Sequence, residues 1–237
     1  MDGSAGAAEE TSLGRSAFAE FLGTAGIVVF GAGAVITTTI GLEATGVALA
    51  SGLAVAAMVA TAFPASGGHL NPAVTIGLLA TSRLDAMRAG VYVMAQILGA
   101  IVGAFVLRAL MPGIIYDAAG GGVPALAPSF EAAKAAGIEA LLSFFWVLAY
   151  IVGSGRRRQG SHLVSLSIGL LVTAGVLVFG ALSGAAMNPA RWIGPAFAAG
   201  TWTDWYVWSA GPLVGGLVGA VVARALFAPS RVPDEAS

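Results

Sequence analysis

The tripeptide Asn-Pro-Ala occurs twice, at Asn71-Pro72-Ala73 and at Asn188-Pro189-Ala190. Asn is a favoured helix N-cap because its side-chain oxygen accepts a free backbone N–H. Pro is favoured at the first helical position, where a missing N–H costs nothing. Each tripeptide therefore predicts a helix start with an Asn at its tip. Small residues precede the tips, Gly67-Gly68-His69 in one case and Gly184-Ala185-Ala186 in the other. The apolar run after each tip is too short to cross a bilayer. A helix N-terminus carries about half a positive charge. Two such tips, facing each other inside a membrane, make a region hostile to cations and hydronium. Their Asn amides can donate hydrogen bonds to a passing water or hydroxyl. Arg191 follows the second tripeptide directly, and charge at membrane depth is expensive and usually functional.

No nucleophile–base pair, metal-ligand cluster or phosphate loop is legible in the chain, so it reads as a non-enzyme without metal or cofactor. The absence of cysteine excludes disulfides, thiolate metal sites and a cysteine nucleophile. Hydrophobic residues make up 57% and charged residues only 10%, against about 25% charged in soluble domains. The partner this implies is the lipid bilayer. A formal net charge of −1 argues against a nucleic-acid partner.

The elements that must position the two tips are membrane spans. Apolar stretches of about 20 residues predict helices at about 16–38, 47–63, 86–110, 130–152, 161–182 and 205–227. The second is predicted to stop at Pro64. The half-helices fall at about 72–81 and 189–199, and 111–129 reads as a loop rich in Gly and Pro. The halves repeat: Gly99 to Leu110 and Gly215 to Leu226 are identical at most positions. The same shift nearly superposes the Asn-Pro-Ala motifs and brings Glu20 close to Glu139. Each half has an odd number of spans, so the second enters the membrane from the opposite side, a common transporter plan. The chain thus reads as one domain over 1–237, with inverted repeats at about 15–110 and 130–227. Gly99/Gly103 and Gly215/Gly219 have the small-xxx-small spacing that lets helices approach closely in lipid.

Charge placement sets the orientation. With a cytoplasmic N-terminus, Arg15, Arg83, Arg88, the Arg156-Arg157-Arg158 cluster, Arg224 and Arg231 all fall inside. Arg108, Lys134 and Arg191 fall outside. The positive-inside rule therefore predicts both termini in the cytoplasm and a multi-pass protein of the cell membrane. The first dozen residues are small and acidic, with Glu9 and Glu10, so the first span is expected to be an uncleaved anchor.

The stretches Ser66-Gly67-Gly68-His69-Leu70-Asn71-Pro72-Ala73-Val74-Thr75 and Met187-Asn188-Pro189-Ala190-Arg191 resemble the signature motifs of the major intrinsic protein family, the aquaporins and aquaglyceroporins. Ala19-Glu20-Phe21-Leu22-Gly23-Thr24, Ala95-Gln96 and Gly211-Pro212 are similar to the family as well. The resemblance covers about 15–227. It implies an all-α membrane protein of six transmembrane helices and two re-entrant half-helices, aquaporin-like. It also implies a homotetramer with one pore per subunit, carrying water and small neutral solutes. By resemblance, the carbonyls of Gly67, Gly68, His69, Gly184, Ala185 and Ala186 form a ladder of acceptors along the pore. The same resemblance puts Ser51, Val176, Ala185 and Arg191 at the outer constriction.

Here the chain departs from strict water channels, which resemble one another in placing Phe and His where Ser51 and Val176 stand. A wider opening is implied, fit for glycerol, urea or ammonia. Trp192 replaces the Asp usual in glycerol channels, and Ala196 is more like water channels. Ser209 stands where an aromatic is expected, and Trp192 or Trp208 is a candidate to refill that space.

Two readings of Glu20 and Glu139 stand: a proton-coupling pair in a carrier, or buried carboxylates that hold loop N–H groups. The resemblance favours the second, with Gln96 as a further brace. His162 resembles a pH gate of some plant members, and equally a solvated helix start. The function implied is a passive channel for water and small uncharged solutes of the glycerol, urea and ammonia class, excluding protons and ions. The alternatives are a strictly water-selective aquaporin, a proton-coupled carrier, or an adhesive or scaffolding protein with a closed pore. With no thiol in the chain, conduction is expected to resist mercurials; thiol-type inhibition in reconstituted vesicles would contradict this.

Overall fold

The computed structural model describes residues 12–155 and 160–227. All the regular structure there is helical. Six long helices have the length and apolarity to cross a membrane: α1 (Leu13–Ile36, continued by a tighter turn to Ile40), α2 (Ala44–Ser66), α4 (Ala86–Leu110), α6 (Ala132–Ser154), α7 (Gly160–Ser183), and α9 with α10 (Trp205–Trp208 and Ala210–Phe227). Two half-helices, α3 (Pro72–Ala80) and α8 (Pro189–Ala199), sit between spans, and a short α5 (Gly113–Ala118) lies in the connection between halves.

Local chemistry explains the boundaries. Ser12 and Asp85 cap α1 and α4, accepting the N–H groups of Arg15 and Arg88 at 3.4 and 2.8 Å. The hydroxyls of Thr37, Thr38 and Thr39 each return to a carbonyl three residues back, which tightens the end of α1. Three expectations change. Helix α2 does not stop at Pro64: it runs to Ser66, because the bond lost at Pro64 lies in the last turn and the Gly67 N–H still reaches the Phe63 carbonyl at 2.9 Å. The last span is broken at Ser209, since Pro212 offers no N–H to the Trp208 carbonyl and its ring crowds that oxygen. The 111–129 connection is not all loop, holding α5 and a turn over Gly120–Gly122. The Arg156-Arg157-Arg158 cluster and Arg231 lie outside the described residues.

The packing has the symmetry of the repeat. Helix α1 packs on α4 as α6 packs on α10, and α1 on α2 as α6 on α7. Each half-helix lies against the last span of the other half, α3 on α10 and α8 on α4. Helices α2 and α7 cross each other at the axis. The glycines set how close these crossings are. A Cβ on Gly99 or Gly103 would strike the backbone of Phe21 or Ala25, and one on Gly215 or Gly219 the backbone of Ala140 or Phe144. Gly52 and Gly169 meet each other in the same way. Large apolar side chains such as Phe18, Leu53, Leu141, Leu170 and Val218 face outward, as lipid contact requires.

Gly215→Val is expected to cost at least the roughly 1–3 kcal/mol of an overpacked core, because backbone rather than a flexible side chain blocks it. Gly137→Ala, with nothing near its Cβ, should be neutral or slightly stabilising. Thermal unfolding in detergent checks this; equal melting of the two variants would contradict the crossing geometry.

Candidate functional site

The two Asn-Pro-Ala motifs meet tip to tip. The Asn71 Oδ1 accepts the Ala73 N–H at 2.9 Å, and the Asn188 Oδ1 accepts those of Ala190 and Arg191 at 3.0 and 3.4 Å. Their amide nitrogens cross over. Asn71 Nδ2 donates to the Met187 carbonyl at 3.0 Å, and Asn188 Nδ2 to the Leu70 carbonyl at 2.8 Å. A primary amide carries two hydrogens, so one on each Asn is left without a protein acceptor among the described residues.

The stretches leading to the tips share an unusual backbone. Gly67, Gly68 and Leu70 have φ of +90°, +63° and +50°; Gly184, Ala185 and Met187 have +80°, +43° and +55°. Left-handed φ costs a non-glycine residue about 1–3 kcal/mol, so something must hold Leu70, Ala185 and Met187 there. Two buried carboxylates do. Glu20 accepts the His69 and Leu70 N–H groups at 2.9 and 2.6 Å and the Ser66 hydroxyl at 2.6 Å. Glu139 accepts the Ala186 and Met187 N–H groups at 3.0 and 2.7 Å and the Ser183 hydroxyl at 2.8 Å. Each serine oxygen in turn accepts the next loop N–H, from Gly68 at 3.0 Å and from Ala185 at 3.2 Å. Gln96 Nε2 donates to Glu20 at 2.7 Å and to the Thr75 hydroxyl at 2.9 Å.

The N–H groups of Gly68, His69, Leu70, Ala185, Ala186 and Met187 are thus used on one side. On the other side, the carbonyls of Gly68, His69, Gly184, Ala185 and Ala186 meet no protein donor among the described residues. The Gly67 carbonyl differs: the Tyr150 hydroxyl donates to it at 2.6 Å.

A narrow cavity of about 30 Å³ lies against the second loop. Ser51, Val176, Ala185 and Arg191 all line it, as do Gly184, Ala186 and Asn188. Val176, Gly184 and Arg191 also border a wider vestibule of about 700 Å³, so two of the four, Val176 and Arg191, stand where the two spaces join. Arg191 is 8% exposed, and its guanidinium donates to the Gly122 carbonyl at 3.0 Å. Gly67, Gly68 and His69 do not line this cavity. His69 is buried edge-on to Tyr92 and Tyr150, with Nδ1 3.1 Å from the Thr75 hydroxyl. Trp192 and Trp208 do not line it either: they stack on each other, and Trp208 donates to the Ser183 carbonyl at 2.7 Å. Glu20 and Glu139 are fully buried behind the loops. His162 is exposed at the start of α7.

The sequence profile of the major intrinsic protein family matches residues 7–223. The chain belongs to that family. Aquaporin TIP4-4 of Zea mays is 43% identical over 194 residues, covering 80% of this chain and 73% of the relative. Aquaporin-2 of Homo sapiens is 36% identical over 228 residues, covering 94% and 83%. The X-ray structure of the aquaglyceroporin from Plasmodium falciparum matches with a TM-score of 0.78 at 29% identity, over 94% of this chain and 98% of that one. Members of the major intrinsic protein family are channels, and the chain is not an enzyme. It has the fold the family implies: six transmembrane helices and two re-entrant half-helices in an inverted repeat.

Some of this major intrinsic protein's contact residues escaped sequence reasoning. Ser66 and Ser183 stand at the same offset before each Asn, a signal that was available. Tyr150 and Gly122 carry none; only the fold brings them to the loops. Glu139→Ala leaves the Ala186 and Met187 N–H groups unmet, at about 1–3 kcal/mol each. It is expected to lower thermal stability and abolish conduction, with Glu139→Gln in between; an unaffected Glu139→Ala channel would count against the brace.

Proposed function

We propose that the protein is a passive membrane channel conducting water and small uncharged solutes of the glycerol, urea and ammonia class, while excluding protons and ions. One observation carries this reading: six loop N–H groups, three in each loop, are engaged by the carboxylate–serine braces, while the carbonyls of Gly68, His69, Gly184, Ala185 and Ala186 are free. Unmet carbonyls in a bilayer cost several kcal/mol each unless water reaches them. A file of water meeting Gly68, His69, Gly184, Ala185 and Ala186 supplies that contact, with Gly67 shared with Tyr150. At the centre the file meets donors instead, one free hydrogen on each of Asn71 and Asn188, backed by the positive ends of α3 and α8. Acceptors on both sides of a donor centre orient the waters oppositely and interrupt a proton-conducting chain.

Ser51, Val176, Ala185 and Arg191 form the outer constriction in this reading. Three small side chains leave room for a solute broader than water, and Arg191 repels cations. The aquaporin names of the sequence relatives agree with water as a substrate, and the aquaglyceroporin title of the structural relative with a polyol. A strictly water-selective pore is the rival within the same fold. A proton-coupled carrier finds no support in Glu20 and Glu139, which are buried behind the loops with their oxygens engaged. The whole chain acts as one channel domain, assembles as a homotetramer, and lies in the cell membrane with both termini in the cytoplasm.

Stopped-flow light scattering on proteoliposomes tests the reading. Fast osmotic shrinkage, followed by re-swelling in glycerol or urea without saturation or dependence on a proton gradient, is expected; shrinkage no faster than protein-free vesicles would refute it. Arg191→Val should admit larger or charged solutes, and unchanged selectivity would remove Arg191 from the constriction.

A further inference from the structure

Deeper in the cavity, below the residues just assigned to the constriction, the wall is built from repeat-related pairs. Trp146 stands seven residues after Glu139, as Ile27 stands seven after Glu20, and both line the cavity. Val172 stands three after Gly169, as Val55 stands three after Gly52, and both line it too. Residues related by the repeat that line one space must lie near the axis relating the halves. That axis is also where Asn71 and Asn188 meet. These four side chains therefore ring the passage at the level of the two Asn tips, away from the vestibule. Val55 and Val172 are alike; Ile27 and Trp146 are not. The indole is by far the largest group in the ring.

Trp146 does not look like a residue kept for anchoring. A buried Trp N–H usually finds a partner, and Trp208 shows the usual case by donating to Ser183. The Trp146 Nε1 is buried with no hydrogen-bond partner among the described residues. Trp192 Nε1 is unpartnered as well, but Trp192 meets Trp202 edge-on and stacks on Trp208 away from the cavity. Trp146 is 2% exposed, so it is packed firmly enough to act as a fixed wall.

We propose that Trp146 is a second specificity-determining residue, narrowing the passage at the Asn tips and setting the girth of solute that passes after the wider outer constriction has admitted it. The outer ring, with Ser51, Val176 and Ala185, screens charge through Arg191; the inner ring screens size. Water passes both. A polyol that clears the outer ring is slowed at the indole face, opposite Ile27.

This inference rests on the channel reading above, and the experiment separates the two. Water and glycerol permeabilities are measured on proteoliposomes of wild type, Trp146→Leu and Trp146→Phe. Trp146→Leu is expected to raise the glycerol-to-water ratio about tenfold, the scale on which apolar walls discriminate by size. Trp146→Phe keeps a ring and should lie nearer wild type. A Trp146→Leu channel that conducts water with an unchanged ratio overturns the proposal, as does a Trp146→Phe ratio equal to that of Trp146→Leu. If Trp146→Leu does not fold, Val172→Leu narrows the same ring from α7 and must lower the ratio; an unchanged ratio there overturns the proposal equally. A wild-type protein that conducts neither solute defeats the channel reading itself.

Discussion

Lipid cannot hydrogen-bond to a peptide group, and the site follows from that constraint. Helices satisfy their own backbone; the stretches from Gly67 to Asn71 and from Gly184 to Asn188 do not. Glu20 and Glu139 resolve half of the difficulty. Each buried carboxylate takes two loop N–H groups and a serine hydroxyl, and the serine takes one N–H more. Drawing these N–H groups one way turns the carbonyls between them the other way. The left-handed φ of Leu70, Ala185 and Met187 is the strain this alternation costs. An ionised carboxylate buried alone would be prohibitive, but one surrounded by donors is not. The brace and the free carbonyl row are two sides of one device.

The repeats agree in scaffold and differ in wall. Both carboxylates, both serines, both capping Asn residues and the glycine crossings recur at matching positions. Other positions break the match. Gln96, which ties Glu20 to Thr75, has Pro212 as its counterpart by the alignment of Gly99 with Gly215. Thr75 faces Trp192 across the repeat, His69 faces Ala186, and Ile27 faces Trp146. Architecture constrains the first set through close backbone approach. The second set is where the two halves differ in chemistry.

Much of this was legible in the residues. Asn before Pro fixes a helix start whatever surrounds it, and α8 begins and ends where its pattern places it. The carboxylate braces were legible as intramembrane acids at matching positions. What sequence could not supply was the consequence of distance. Pro64 reads as a stop, yet the helix runs past it to a serine that Glu20 holds. Trp192 and Trp208 read as candidates to fill the constriction, yet they pair with each other behind it. Tyr150 carries no local signal and reaches Gly67 only because α6 passes beside α2's end. Gly122 meets Arg191 from a connection whose short helix and turn no periodicity announced.

The most direct test of the central claim is a high-resolution crystallographic map of the passage in a lipidic phase. Ordered waters should lie within hydrogen-bonding distance of the free carbonyls of His69 and Ala186, and one should lie between Asn71 Nδ2 and Asn188 Nδ2. A dry gap at those carbonyls, or loop N–H groups turned toward the passage with Glu20 and Glu139 unengaged, would contradict it.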